Sequence, residues 1–379
     1  MSHFDITKAQ PTAWSILSRS FQAGRVASTY LFCGHEGVGH WPLAITFAAL
    51  MNCEHPVQTD DPEQPVQPCR QCRNCRMVFG LNFEGLYIAV PVPPSPRKKF
   101  EDIIEFTNEV VEAKREDPFH RIVSTASTTL PIDMAREIAS HLSRKPTVGI
   151  TRVVLFYQME KMRVASADAL LKLIEEPPPG TVLILTTERP EMLLPTIQSR
   201  SQIIRLTRIP EPMIEEYLVS TYEISEKRAR LVSRLSEGVM SKAVELAGEE
   251  DDETISRRAV AMLLFKSLFK ESGAGVISRE LDMVNTNNRD EVRDLLLMWQ
   301  SLIRDCHYFA ATGAEEGLTN VDFIPEIKQL SSYFSNLALA GALVDHIKNT
   351  LADFARNVHI QTALAALTLK LQMSVKAAG

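Results

Sequence analysis

A chain of 379 residues is longer than one ordinary domain and suggests two or three. Its hydrophobic fraction of 45% and charged fraction of 23% are those of a globular protein with ample material for a core. Lys and Arg number 41 against 47 Asp and Glu, a net charge of -6 that excludes a polybasic nucleic-acid binder; the acidic excess lies after residue 207, so contact with DNA would need a local patch. Every apolar run is shorter than the roughly 18 residues of a membrane span, and no basic-then-apolar leader opens the chain, so a cytoplasmic protein is expected.

In chain order, short and nearly unbroken apolar runs predict strands at Thr29–Cys33, Leu86–Val90, Arg152–Phe156, Thr181–Thr186 and Ile203–Leu206. Such runs suit central strands of a parallel sheet covered on both faces. Helices are predicted between them at Pro42–Met51, Lys99–Arg115, Ile132–Leu142 and Val164–Ile174, which is the alternation of an α/β domain. Pro91–Pro96 reads as a stiff connector. Beyond Leu206 the strand signal stops. Residues 211–247 read as three short helices, with Gly238 ending the second, and Glu249-Glu250-Asp251-Asp252-Glu253 reads as a solvated linker. From 254 onward the pattern is helical: Val292, Leu295, Leu296, Trp299, Leu302, Ile303 and Cys306 share one long apolar face, and Leu337–Leu371 continues in that style.

Four of the six cysteines lie between residues 53 and 75. Cys69, Cys72 and Cys75 have the spacing C-x2-C-x2-C, with Cys53 upstream, and four thiolates can close a tetrahedral zinc site. Arg70, Arg73 and Arg76 would offset its negative charge. An iron–sulfur cluster is the nearest rival, but its run continues x3-C-P, and residues 76–80 hold no cysteine. Unliganded thiols are the third reading. Cys33 and Cys306 sit in apolar runs and read as core residues.

Directly after the first strand comes Gly34-His35-Glu36-Gly37-Val38-Gly39-His40-Trp41, then a helix. A phosphate loop reads G-x-x-x-x-G-K-[ST] in this context. Gly34, Gly37 and Gly39 suit backbone N–H groups turned around phosphates, yet His40 stands in the lysine position and Trp41 in that of the magnesium-binding hydroxyl. A coincidental glycine loop is the alternative. A second lesion points the same way. The strand ending at Phe156 runs into Tyr157 and Gln158, where an ATPase of this class carries its metal-binding Asp and catalytic Glu. Glu160 lies two positions past the glutamate slot. A non-hydrolysing descendant of an ATPase is expected, with no bound ATP.

Residues 169–178, Ala-Leu-Leu-Lys-Leu-Ile-Glu-Glu-Pro-Pro, and 193–201, ending Ser199-Arg200-Ser201, closely resemble bacterial clamp-loader subunits of the AAA+ class. Gly24-Arg25 ahead of Tyr30-Leu31-Phe32, the cysteine module after the loop helix, and Asn357 in an Ala/Leu-rich helix are similar to the same family. Within it, the γ/τ subunits keep their nucleotide chemistry and the δ′ subunit commonly loses it; this chain resembles the δ′ type. The resemblance implies a RecA-like AAA+ P-loop NTPase fold over 1–207 with a zinc module at about 53–80, a helical lid over 208–250, and an all-α oligomerisation collar over 254–379. It implies a stator in the DNA polymerase III assembly that loads a sliding clamp on primer–template DNA, with γ/τ ATPase subunits and a δ subunit as partners. It further implies that Arg200 reaches a neighbour's ATP, a role suited to a permanently charged guanidinium; an arginine paired with a local carboxylate is the plainer alternative. Thr186 and Thr187 match a sensor position, and Lys242 that of a second-sensor arginine. Ser201 replaces the family's cysteine, Pro56–Pro68 lengthens the cysteine module and should bulge out as a loop, and residues 91–129 are extra length. An active γ/τ-type ATPase and a zinc-containing nucleic-acid-binding adaptor are the rival functions.

Overall fold

The five apolar runs pair into one parallel sheet. Its strands are β1 (Thr29–Cys33), β2 (Leu86–Ala89), β3 (Arg152–Phe156), β4 (Thr181–Thr187) and β5 (Gln202–Arg205), in the order β2-β3-β4-β1-β5. The computed structural model describes residues 4–58, 65–93, 100–122, 128–143, 147, 149–162, 171–248, 251–270, 273–286, 288–355 and 358–378. β1, β3 and β4 are buried along their whole length, as unbroken apolar runs require. β2 and β5 are instead the edges, and only Ile204 of β5 is buried. An apolar run reports burial on some face, and strand order then decides whether both faces are covered.

The chain divides into two compact units, Met1–Glu223 with Gly238–Glu245, and Ile224–Glu237 with Leu246–Gly379. In the first, α1 (Ile6–Ala9) and α2 (Pro11–Gln22) bury Ile6, Ala9, Trp14 and Leu17; the sequence reading placed no element there. α3 (His40–Met51) follows the glycine loop, α4 (Arg73–Phe79) follows the cysteines, and α5 (Phe100–Glu116), α6 (Ile132–Leu142), α7 (described over 171–175) and α8 (Pro195–Ser199) complete the layers. α3 is buried nearly all round, so it packs as an interior helix. One core is formed by Leu31, Val154, Phe156, Leu183 and Leu185 of the sheet against Met134, Ile138 and Leu142 of α6. Residues 164–170 of the expected helix Val164–Ile174, with Ala169 and Leu170, lie outside the described residues, as do 94–96 of Pro91–Pro96.

Residues 211–247 hold three helices, α9 (Glu211–Tyr222), α10 (Glu226–Ser236) and α11 (Met240–Gly248). α10 ends through left-handed Glu237 and Gly238 (φ 80°). The segment expected to stand alone as a lid is shared: α9 and the start of α11 go with the sheet, α10 with the second unit. The acidic run is not wholly linker. Residues 249 and 250 lie outside the described residues, but Asp251 opens α12 (Asp251–Lys270).

The second unit continues with α13 (Gly273–Met283), α14 (Arg289–Thr312), α15 (Ile324–Leu330), α16 (Leu337–Ala355) and α17 (Ile360–Ala378). Asn288 caps α14 by accepting from the Asp290 and Glu291 amides, and left-handed Gly313 ends it. All seven residues of the expected stripe are buried in one core with Phe265, Phe334 and Leu364. Trp299 donates from Nε1 to the Ala261 carbonyl at 3.0 Å, so its polar atom is satisfied inside. Asn357 lies outside the described residues. Among those described, no helix is long and apolar enough to cross a membrane.

Candidate functional site

The expected strand–loop–helix order is formed: β1 runs into residues 34–39 and α3 leaves them. Gly37 and Gly39 have φ of 85° and 112°, the left-handed region that glycine enters without steric cost. Both are also pressed by neighbours. A Cβ on Gly37 would fall 1.9 Å from the Ser241 hydroxyl, and one on Gly39 2.3 Å from Ile6 Cδ1. A Cβ on Gly34 would meet the Leu206 carbonyl at 2.9 Å. The loop's polar groups are engaged within the chain. The Glu36 amide donates to Glu188 Oε2 at 3.1 Å, and Gln10 Nε2 donates to the Val38 carbonyl at 2.9 Å. The Met240 amide donates to the Gly37 carbonyl at 3.1 Å. A protein carboxylate thus occupies a loop amide of the sort that would face a phosphate.

His40 is buried, and its Nε2 has no hydrogen-bond partner among the described residues. Burial, with Lys114 and His35 adding to it, pulls its pKa down to about 3, so the ring is neutral at pH 7. Trp41 packs edge-on against Tyr157, ring centroids 5.7 Å apart. The residue in the hydroxyl position therefore touches the residue in the first carboxylate position. Gln158, left-handed at φ 57°, donates from its amide to Thr186 Oγ1 at 2.9 Å and from Nε2 to Glu36 Oε1 at 2.6 Å. Glu160 accepts from the Thr187 hydroxyl at 2.8 Å. Thr186 and Thr187 thus tie the ends of β3 and β4 together.

The sequence reading missed a third occupant. Lys114 of α5 is 4% exposed, and its Nζ lies 5.4 Å from the centroids of both Trp41 and Tyr157. It donates to the Pro118 carbonyl at 3.2 Å. Only about 10 Å³ of cavity remains among these groups, about one water. Glu188, Ser241 and Gln10 were also unforeseen, because nothing local marks a residue that acts on a loop distant in sequence. Lys242 is exposed on α11, while its neighbour Ser241 faces the loop.

Arg200 caps the short helix α8, two residues before β5. Its guanidinium lies 3.2 Å from Glu175 Oε1, both side chains half-exposed. The register pairs Tyr30 with Gln202 and Cys33 with Arg205. Arg200 therefore lies at the end of the sheet opposite the glycine loop, roughly 15 Å of strand away.

The four cysteines converge. Their sulfurs all lie within 4.8 Å of one another, and Cys69 and Cys75 are 3.9 Å apart. Four sulfurs around one ion at about 2.3 Å stand roughly 3.8 Å apart, so the donor set fits a metal ion. Cys53 follows α3 directly, and the segment from Pro56 to Pro68 folds back through an antiparallel bridge between Val57 and Gln67; residues 59–64 lie outside the described residues. Cys72 caps α4, accepting from the Cys75 amide at 3.4 Å, while the Cys72 amide donates to Cys69 Sγ at 3.3 Å. That amide brings the Cys69 thiol down to about 6, and burial pushes Cys75 up.

A family model described as "DNA polymerase III, delta subunit" matches residues 9–210, more than half of the chain. The chain belongs to this family. Curated relatives agree. The DNA polymerase III subunit delta' of Bacillus subtilis is 24% identical over 97% of this chain and 98% of its own length. That of Escherichia coli is 26% identical over 64% of this chain and 70% of its own. The subunit tau of Salmonella typhimurium is also similar, 25% identical over 90% of this chain and 46% of its own length.

Proposed function

We propose that the chain is a non-hydrolysing δ′-type subunit of a DNA polymerase III clamp loader, a stator that helps place a sliding clamp on primed DNA. The observation that carries this is the contact of Trp41 with Tyr157. Where an ATPase holds magnesium between a hydroxyl and a carboxylate, two apolar rings meet, and neither metal binding nor activation of water is available. Residues 1–207 act as a RecA-like AAA+ module, 208–250 as a lid, and 254–379 as a collar that assembles with γ/τ and δ subunits. Arg200 acts in trans: its position at the far end of the sheet from this chain's own loop supports service to a neighbour's ATP. Cys53, Cys69, Cys72 and Cys75 hold zinc in a closed site, which supplies folding free energy and leaves no open position for chemistry.

Calorimetry and a steady-state assay on the purified chain test the reading. No turnover and no tight Mg-ATP binding are expected. Magnesium-dependent binding in the low-micromolar range, or hydrolysis that follows the chain through purification, would instead support an active γ/τ-type ATPase, the rival that the tau relative favours. Pulldown of primed DNA by the chain without partners would support the nucleic-acid-binding adaptor.

A further inference from the structure

We propose that the turn carrying Lys114 to Arg121, part of the extra length over 91–129, is a resident plug of the phosphate pocket and keeps it shut to nucleotide. The inference deepens the reading of a chain without nucleotide chemistry, because it names what fills the site.

The plug is anchored on several sides. Lys114 lies against both Trp41 and Tyr157, the two touching rings that replace metal-handling groups, and satisfies one ammonium proton on the turn's own Pro118 carbonyl. Asp117 is clamped by three donors: the Tyr217 hydroxyl at 3.2 Å, the Tyr222 hydroxyl at 2.9 Å and the Phe119 amide at 2.8 Å. Phe119 is buried among Phe4 and Tyr217, with centroids 5.0 and 5.7 Å away. Arg121 pairs with Glu245 at 3.4 Å. At the other end of the turn, Arg115 Nε donates to the Gly80 carbonyl at 2.8 Å, just past the cysteine helix.

A buried ammonium is costly unless something compensates it. Two ring faces and a carbonyl do so here, with Asp117 and Glu36 contributing at longer range. The cation's place is therefore built, and the pocket's opening is occupied by covalently attached chain. A nucleotide would have to displace the turn and break the Asp117 clamp.

Amine labelling of the full-length chain, read by mass spectrometry, tests this. The burial that lowers Lys114 to about 8 also raises its neutral, reactive fraction, so slow labelling in the folded chain reports enclosure and not protonation. Lys114 is expected to react about tenfold or more slowly than exposed Lys8. Asp117→Ala, or Phe119→Ala as a second route to the same opening, should raise the Lys114 rate about tenfold with circular dichroism unchanged. Lys114 reacting as fast as Lys8 in the unaltered chain overturns the plug and leaves the non-hydrolysing reading standing. So do both variants keeping the slow rate. Protection or acceleration of Lys114 by added ATP in the unaltered chain means that nucleotide enters, which overturns the plug, and the non-hydrolysing reading falls with it only if turnover accompanies the change.

Discussion

Arg200 keeps its guanidinium half-exposed beside Glu175, and an exposed pair of this kind is worth about 0–1 kcal/mol, so a phosphate with its several oxygens can draw the side chain away. In a reconstituted complex, Arg200→Ala should slow the one ATP site facing this subunit by about 10³–10⁵. Total DNA-stimulated ATPase then falls by a fraction, clamp loading falls further, and gel filtration shows intact assembly. An assembled variant that loads clamps at the normal rate would reduce Arg200 to a structural partner of Glu175. His40 sets a different dependence. Its folded pKa of about 3 is below the ordinary 6.5, so between these values the unfolded chain binds a proton that the folded chain refuses. The stability tied to this group is full above pH 6.5 and drains away as pH falls towards 3. Melting temperature should therefore drop less steeply with acid in His40→Gln than in the unaltered chain over that window. Parallel pH profiles would show that His40 is not the proton acceptor.

At the scale of elements, the cysteine module joins readable spacing to unreadable geometry. The C-x2-C-x2-C run marks a candidate metal site in the sequence alone, because a two-residue spacer lets neighbouring sulfurs point at one ion. Bringing Cys53 to that run depends on the bridge between Val57 and Gln67, which no local pattern announces. Closed thiolate sites supply on the order of 10 kcal/mol in small modules. Elemental analysis should find zinc at one per chain, and Cys72→Ser, which removes one thiolate while its hydroxyl can still cap α4, should speed hydrogen exchange over residues 53–80 before anywhere else. Iron in place of zinc, or protection unchanged in Cys72→Ser, would contradict the zinc reading. The strands show a similar split. The five apolar runs were legible to within about two residues, but the edge positions of β2 and β5 follow from strand order, a property of the whole chain path.

At the scale of the whole molecule, each unit has its own core, the condition for independent unfolding. Trp299 is fully buried in the helical unit, and large-to-small changes of such a residue cost about 3–5 kcal/mol. Trp299→Ala also leaves Trp14 and Trp41, both buried in the sheet-bearing unit, as the remaining indoles. On heating, this variant should lose helical circular dichroism at a lower temperature than it loses the fluorescence of those two tryptophans. Coincident transitions would mean that the units unfold as one.

Sequence by itself determined the α/β rhythm, the apolar stripe of α14, the cysteine spacing and the substitutions at 40, 41, 157 and 158, because each is a matter of residue type at short separation. Only the tertiary structure decided that Trp41 meets Tyr157, that Glu188 takes a loop amide, and that Lys114 packs against both rings. Lys114 sits in an ordinary charged stretch of α5, and its burial depends on where the turn after α5 is tied down by Tyr217 and Tyr222, about a hundred residues later. The same reason divides the expected lid: helix periodicity sets where α9, α10 and α11 begin and end, while the partners available in three dimensions set which core each one joins.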